Sequence, residues 1–290
     1  MGELDFYIVD VFAEEKYAGN QLAVFRKAGE LSTEQMQKLA NETHFSETTF
    51  ILSDEEKDGG YDVRIFTPVE ELPFAGHPTL GTAFVIKNEI MEKPSDKVLL
   101  NLEVGQIPVT SEGKLLWMEQ IQPEFGQTAD SKEVARTIGI DHDYIDWRFP
   151  IEEVSTGVFT LIVPLKNLNA VKQACVDNQR FCKMAETLQA RSLLVFCPEA
   201  YEDSNDLNVR LFAEELGVME DPATGSANGC LAAYLIKNRY FDDNRIDIRV
   251  EQGYEINRPS RLYLRAHEDG ERIHIHVGGK VEMIARGKFI

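Results

Sequence analysis

The feature that most constrains this chain is a segment that occurs twice. VRIFTPVEELPFAGHPTLGTAFVIKN begins at Val63, and VRLFAEELGVMEDPATGSANGCLAAYLIKN begins at Val209. Each copy opens V-R-[IL]-F, passes through an acidic turn and a Gly-containing stretch of small residues, and closes in an apolar run ending Ile-Lys-Asn. The offset is 146 at the start (209 − 63) and 150 at the end (236 − 86), in a chain of 290 residues, so one copy falls in each half. Matched ends in matched order indicate duplication.

Each copy is therefore expected to build one domain. The apolar runs predict two helices, Pro78–Lys87 and Thr224–Lys237, with small or apolar residues on most faces, which marks a helix for burial. Strand-rich sequence surrounds both. The expected class is α+β, a mixed sheet curled around a central apolar helix, twice. The expected domains are residues 1–118 and 119–277, with a last strand near 278–290 free to return to the first.

Other stretches read locally. Ser32 and Gln35 form a capping box for a helix over 32–44, with Met36, Leu39 and Ala40 on its apolar face. The strand-like run after it, in NETHFSETTFIL, carries one carboxylate in its middle, Glu47. Alternation puts Phe45, Glu47, Thr49 and Ile51 on one face, with apolar residues on both faces. Glu47 then either emerges where a buried surface meets a cleft, with a carboxyl pKa raised towards the range useful for proton transfer, or sits at an edge facing water or an arginine.

The starts of the two apolar helices are the other candidate sites. Free N–H groups at the positive end of a helix dipole attract carboxylates. His77 in PFAGHPTLG and Asp221 in EDPATGSANG stand at those starts, either as simple caps or as an acid/base pair in which the carboxylate orients the imidazole. His274 and His276 alternate in RIHIHV and share one strand face. They lack a third ligand at metal spacing, so a solvated face is expected and no metal site.

Composition excludes several functions. With 49 acidic and 30 basic residues the formal charge is −19, which disfavours nucleic acid and anionic membranes. The acidic N-terminus does not read as a signal peptide, and no apolar stretch nears the roughly 20 residues of a spanning helix. Cys175, Cys182, Cys197 and Cys230 include no CxxC and are expected as reduced, packed thiols in a cytoplasmic protein.

The stretches DVFAEEKYAGNQLAVF, NETHFSETTFIL, RIFTPVEELPFAGHPTLGTAFV, STGVFTLIVPL, VRLFAEELGVMEDPATGSANGCLAAYL and QGYEINRPSRLYL resemble, in order, those of the PhzF family of phenazine-biosynthesis isomerases. The resemblance implies the diaminopimelate-epimerase-like fold, with the active site in the cleft between two similar domains. It implies Glu47 as the catalytic acid/base, and His77 and Asp221 as residues that position the substrate and assist proton movement. Asn20, Gly76, Gly225 and Ser226 are implied as substrate-binding. The implied reaction isomerises a trans-2,3-dihydro-3-hydroxyanthranilate-type small carboxylic acid, without metal or organic cofactor, in a homodimer. Gln21, His44, Phe45 and Cys230 depart from the commonest family pattern and bear on substrate choice. Two further readings stand beside it: a non-catalytic small-acid binding protein, and an epimerase of the same fold using bases other than thiols. A two-thiol racemase is excluded, because every cysteine lies beyond residue 174.

Overall fold

The computed structural model describes residues 3–93, 95–213 and 218–290. The chain forms two compact units, Met1–Met118 with Gly278–Ile290, and Glu119–Val277.

The first unit runs β1 (Leu4–Val11), β2 (Asn20–Arg26), α1 (Thr33–Thr43), β3 (Glu47–Ile51), β4 (Tyr61–Phe66), β5 (Glu71–Leu72), α2 (Gly76–Val85), β6 (Lys97–Leu102), β7 (Gly105–Glu112) and β8 (Leu115–Glu119). The second runs β9 (Glu124–Thr128), α3 (Ser131–Thr137), β10 (Glu152–Ser155), β11 (Phe159–Pro164), α4 (Leu168–Gln173), α5 (Asn178–Ala185), β12 (Ser192–Cys197), β13 (Leu207–Ala213), β14 (Val218–Asp221), α6 (Gly225–Lys237), β15 (Arg245–Gln252), β16 (Ser260–Asp269) and β17 (Arg272–Gly279). The last strand, β18 (Val281–Phe289), pairs antiparallel with β1.

Pairing makes the duplication explicit. In the first unit β1–β2 is antiparallel, β2–β3 parallel, β3–β4 and β4–β5 antiparallel, β4–β6 parallel and β6–β7 antiparallel. In the second, β10–β11, β11–β12, β12–β13, β13–β14, β13–β15 and β15–β16 repeat that succession of directions step for step. The shared V-R-[IL]-F has a physical meaning in both. Arg64 reaches from β4 to Glu71 on β5 at 2.5 Å and lies over the Phe66 ring. Arg210 reaches from β13 to Glu220 on β14 at 2.7 Å and lies over Phe212. Each arginine thus ties the short acidic strand back to its neighbour just before the buried helix. Residues 214–217, in the acidic turn of the second copy, lie outside the described residues.

Both central helices are buried as expected, with shifted ends. α2 begins at Gly76, two residues before Pro78, and passes at Ile86–Ile90 into a π-helical turn. α6 begins at Gly225 with Thr224 as its N-cap. Close packing seats α2: a Cβ on Gly81 would lie 2.6 Å from Leu22 Cδ2 and 2.9 Å from Val11 Cγ2. The opposite face of the same strands packs on α1, where Phe25, Phe50 and Phe66 meet Met36 and Leu39. The capping box of α1 is present, Gln35 N–H donating to Ser32 Oγ at 3.3 Å and Ser32 N–H to Gln35 Oε1 at 2.9 Å. A carboxylate on the α2 face of β3 therefore points at a helix that is apolar nearly all round.

Among the described residues no helix is long and apolar enough to cross a membrane. None of the four cysteines is bridged. Cys197 and Cys230 are buried, but Cys175 and Cys182 are exposed, against the expectation of packed thiols, because Cys182 lies on α5 and Cys175 in the segment leading to it, not in a strand.

Candidate functional site

Glu47 is the first residue of β3, not a residue in the middle of the strand. His44 closes α1 in a left-handed conformation, and the strand starts three residues on. Position parity puts Glu47 and Thr49 on the α2 side, while Thr48 and Phe50 turn away. Thr82 on α2 donates its hydroxyl to Thr49 at 2.8 Å, and both are fully buried. Helix and strand are keyed together two residues from Glu47.

His77 sits in the first turn of α2. Its Nε2 lies 3.4 Å from Glu47 Oε2, with side-chain exposures of 5% and 18%. Its Nδ1 lies 3.5 Å from the Asn20 side-chain nitrogen, itself buried at the start of β2. Burial pushes the imidazole down to about 3, and a hydrogen bond with the Gln21 backbone pulls weakly the other way. Histidine is therefore neutral at any ordinary pH, an uncharged neighbour of the carboxyl group and not its counter-ion. Neither helix is capped as one sequence reading had it. The N-cap of α2 is Ala75 and that of α6 is Thr224, without side-chain caps, so His77 and Asp221 are not committed to capping.

In the second unit Asp221 ends β14, mostly buried, and its Oδ2 accepts the Thr224 hydroxyl. Gly225 and Ser226 open α6, with the Ser226 carbonyl accepting from Thr156 Oγ1 at 3.2 Å. One residue holding this segment was missed by the sequence reading. Gln252, fully buried on β15, donates to the Asp221 carbonyl at 2.7 Å and accepts from Thr224 N at 3.2 Å and Asn228 Nδ2 at 2.9 Å. The signal available was its place in QGYEIN, beside the glycine of that stretch.

Among the described residues no group of three or more His, Cys, Asp or Glu side chains is arranged to hold a metal. His274 and His276 do share a face, and it is partly open to water, the His274 side chain being 31% exposed. The His274 ring stacks on His267 at 5.0 Å, and burial lowers the His276 pKa.

These features match known proteins over the whole chain. The phenazine biosynthesis-like family model matches residues 9–287. The chain belongs to the PhzF family. It is 35% identical over 289 residues to the trans-2,3-dihydro-3-hydroxyanthranilate isomerase of Pseudomonas aeruginosa, covering 98% of each protein. A PhzF-family crystal structure from Bacillus anthracis superposes with a TM-score of 0.92, at 28% identity and full coverage of both chains. A hydroxyproline epimerase from Agrobacterium vitis shares the fold alone, with a TM-score of 0.65 at 10% identity, over 99% of this chain and 91% of that one. The protein is thus a PhzF-family isomerase with the proline-racemase and diaminopimelate-epimerase type of fold.

Proposed function

We propose that this PhzF-family isomerase moves a proton between two carbons of a small unsaturated amino or carboxylic acid of the trans-2,3-dihydro-3-hydroxyanthranilate type, with Glu47 as acid and base. The observation that carries the reading is the Glu47–His77 pair, 3.4 Å apart at the edge of the buried helix. As a carboxylate, Glu47 removes a proton from one carbon; as the acid, after exchange with solvent, it delivers a proton to a second carbon on the same face of the substrate. A neutral His77 leaves the carboxyl group free to change charge without breaking an ion pair, and its single ring N–H and the α2 N-terminus suit a delocalised anion. Asp221 is proposed to assist proton movement. Asn20, Gly76, Gly225 and Ser226 are proposed to hold the substrate, the last two through the free N–H groups that open α6. The proposed steps use protein groups alone, and the proposed assembly is a homodimer. The 35% identity to an enzyme named for that substrate supports the choice of substrate class.

Incubation with trans-2,3-dihydro-3-hydroxyanthranilate in deuterated water tests this. Product formation with deuterium at a ring carbon is expected. Binding without turnover or exchange would replace the isomerase by a small-acid binding protein, and inversion at one carbon would replace it by an epimerase.

A further inference from the structure

We propose that Asp10 is a positioning residue, fixing which nitrogen of His77 carries the proton. This inference rests on the Glu47–His77 reading above. Asp10 stands in β1 between Val9 and Val11, both fully buried, and is itself 2% exposed. A carboxylate enclosed in this way needs partners, and one is the Tyr17 backbone N–H, which donates to Asp10 Oδ2 at 2.8 Å.

That bond crosses the loop joining β1 to β2. Three of its eight residues, Phe12, Tyr17 and Gly19, have φ of 61°, 70° and 70°. Two of the three are not glycine, so the loop holds a conformation that a chain without ties would leave. Gly19 has no alternative, since a Cβ there would run into the Val11 carbonyl. The loop delivers Asn20 and Gln21, the first residues of β2, paired with Val11 and Asp10 respectively. Both residues meet His77: the Asn20 side-chain amide lies 3.5 Å from Nδ1, and the Gln21 backbone hydrogen-bonds the ring. In a neutral imidazole the group facing one nitrogen decides what the other offers. The Nε2 so defined faces Glu47 at 3.4 Å. Asp10 thus acts on the pair through the loop and the first two residues of β2.

The test reads the tautomer directly, by side-chain 15N NMR of histidine, with His77→Gln identifying the resonance. Wild type is expected to show one neutral tautomer of His77 between pH 5 and 8. Asp10→Ala and the similarly sized Asp10→Leu are expected to show shifts averaged between two tautomers. Asp10→Asn retains an acceptor for Tyr17 N–H and is expected to match wild type, and Tyr17→Gly, which retains the donor, likewise. With the dihydrohydroxyanthranilate substrate, the first two variants are expected to lose about tenfold or more in kcat with KM within about twofold. Folded Asp10→Ala or Asp10→Leu protein with the wild-type 15N pattern overturns the proposal, as does an averaged pattern in Asp10→Asn. The NMR needs no substrate, so absence of turnover in wild type would overturn the functional reading while leaving this one to be decided by the tautomer.

Discussion

The Thr82 hydroxyl donates to the Thr49 hydroxyl over 2.8 Å in a site closed to water, joining the helix of His77 to the strand of Glu47. Removing one hydroxyl strands its partner; removing both strands nothing. Thr49→Val or Thr82→Val alone should cost about 1–3 kcal/mol, and the double variant less than the sum of the two. Urea unfolding of the four proteins measures the difference.

Glu47→Gln keeps the shape of the side chain and removes its basicity. Turnover should fall by about 10²–10⁴-fold, the usual contribution of a general base, while substrate binding measured by calorimetry persists. Glu47→Gln with near-wild-type deuterium incorporation would assign the proton transfer to another group.

The buried imidazole gives a pH signature. Its folded pKa of about 3 lies below the ordinary 6.5, so between those values the unfolded chain binds the proton and the folded chain does not. This contribution is constant above pH 6.5 and destabilises progressively as pH falls towards 3, by at most about 1.4 kcal/mol per pH unit. Wild type should therefore lose more stability than His77→Gln between pH 6.5 and 4. Denaturation midpoints of both proteins across that range check the sign.

Gly81→Ala should cost about 1–3 kcal/mol, because its methyl group would press on Leu22 and Val11, and α2 would have to rise from β1 and β2. His77 rides on that helix, so kcat should fall with stability. A wild-type melting temperature would show that the neighbouring side chains give way.

The two repeats offer an internal comparison. Arg210 and Glu220 are each about 10% exposed, and Arg210 Nη1 also donates to the Val171 and Ala174 carbonyls at 2.9 and 2.6 Å. Arg64 and Glu71 are 27% and 31% exposed. Arg210→Ala should destabilise by about 3–5 kcal/mol, as breaking a buried pair does, and Arg64→Ala by less. Equal losses would mean that the extra burial carries no weight.

Much of the fold was legible because duplication and capping are local patterns. V-R-[IL]-F, the Ser32–Gln35 box and the apolar helices each depend on a few adjacent residues. The site was legible only in part. Buried or half-buried carboxylates stand in strands at Asp10, Glu47, Glu153 and Glu251, among others. Glu153 accepts backbone N–H groups from Gln127, Gln189 and Ala190. Glu251 accepts those of Tyr201 and Glu202 and the amides of Asn205 and Asn208. These two are tied to backbone far away in sequence, and periodicity carries no trace of such partners. Pattern brought Glu47 forward with two readings open, family resemblance gave it a role, and nothing in the spacing pointed to the partners of Gln252 or to the Thr49–Thr82 bond.

The pairing of β1 with β18 runs from Leu4 opposite Phe289 to Val11 opposite Val281, and it sets the order of events at the ribosome. The second unit is complete in the nascent chain once Val277 has left the exit tunnel. The first, although translated earlier, keeps one flank of β1 bare throughout that time. Its Asp10-bearing edge is finished only by Val281–Phe289, which follow the whole second unit in the chain, so the half that starts first is assembled last.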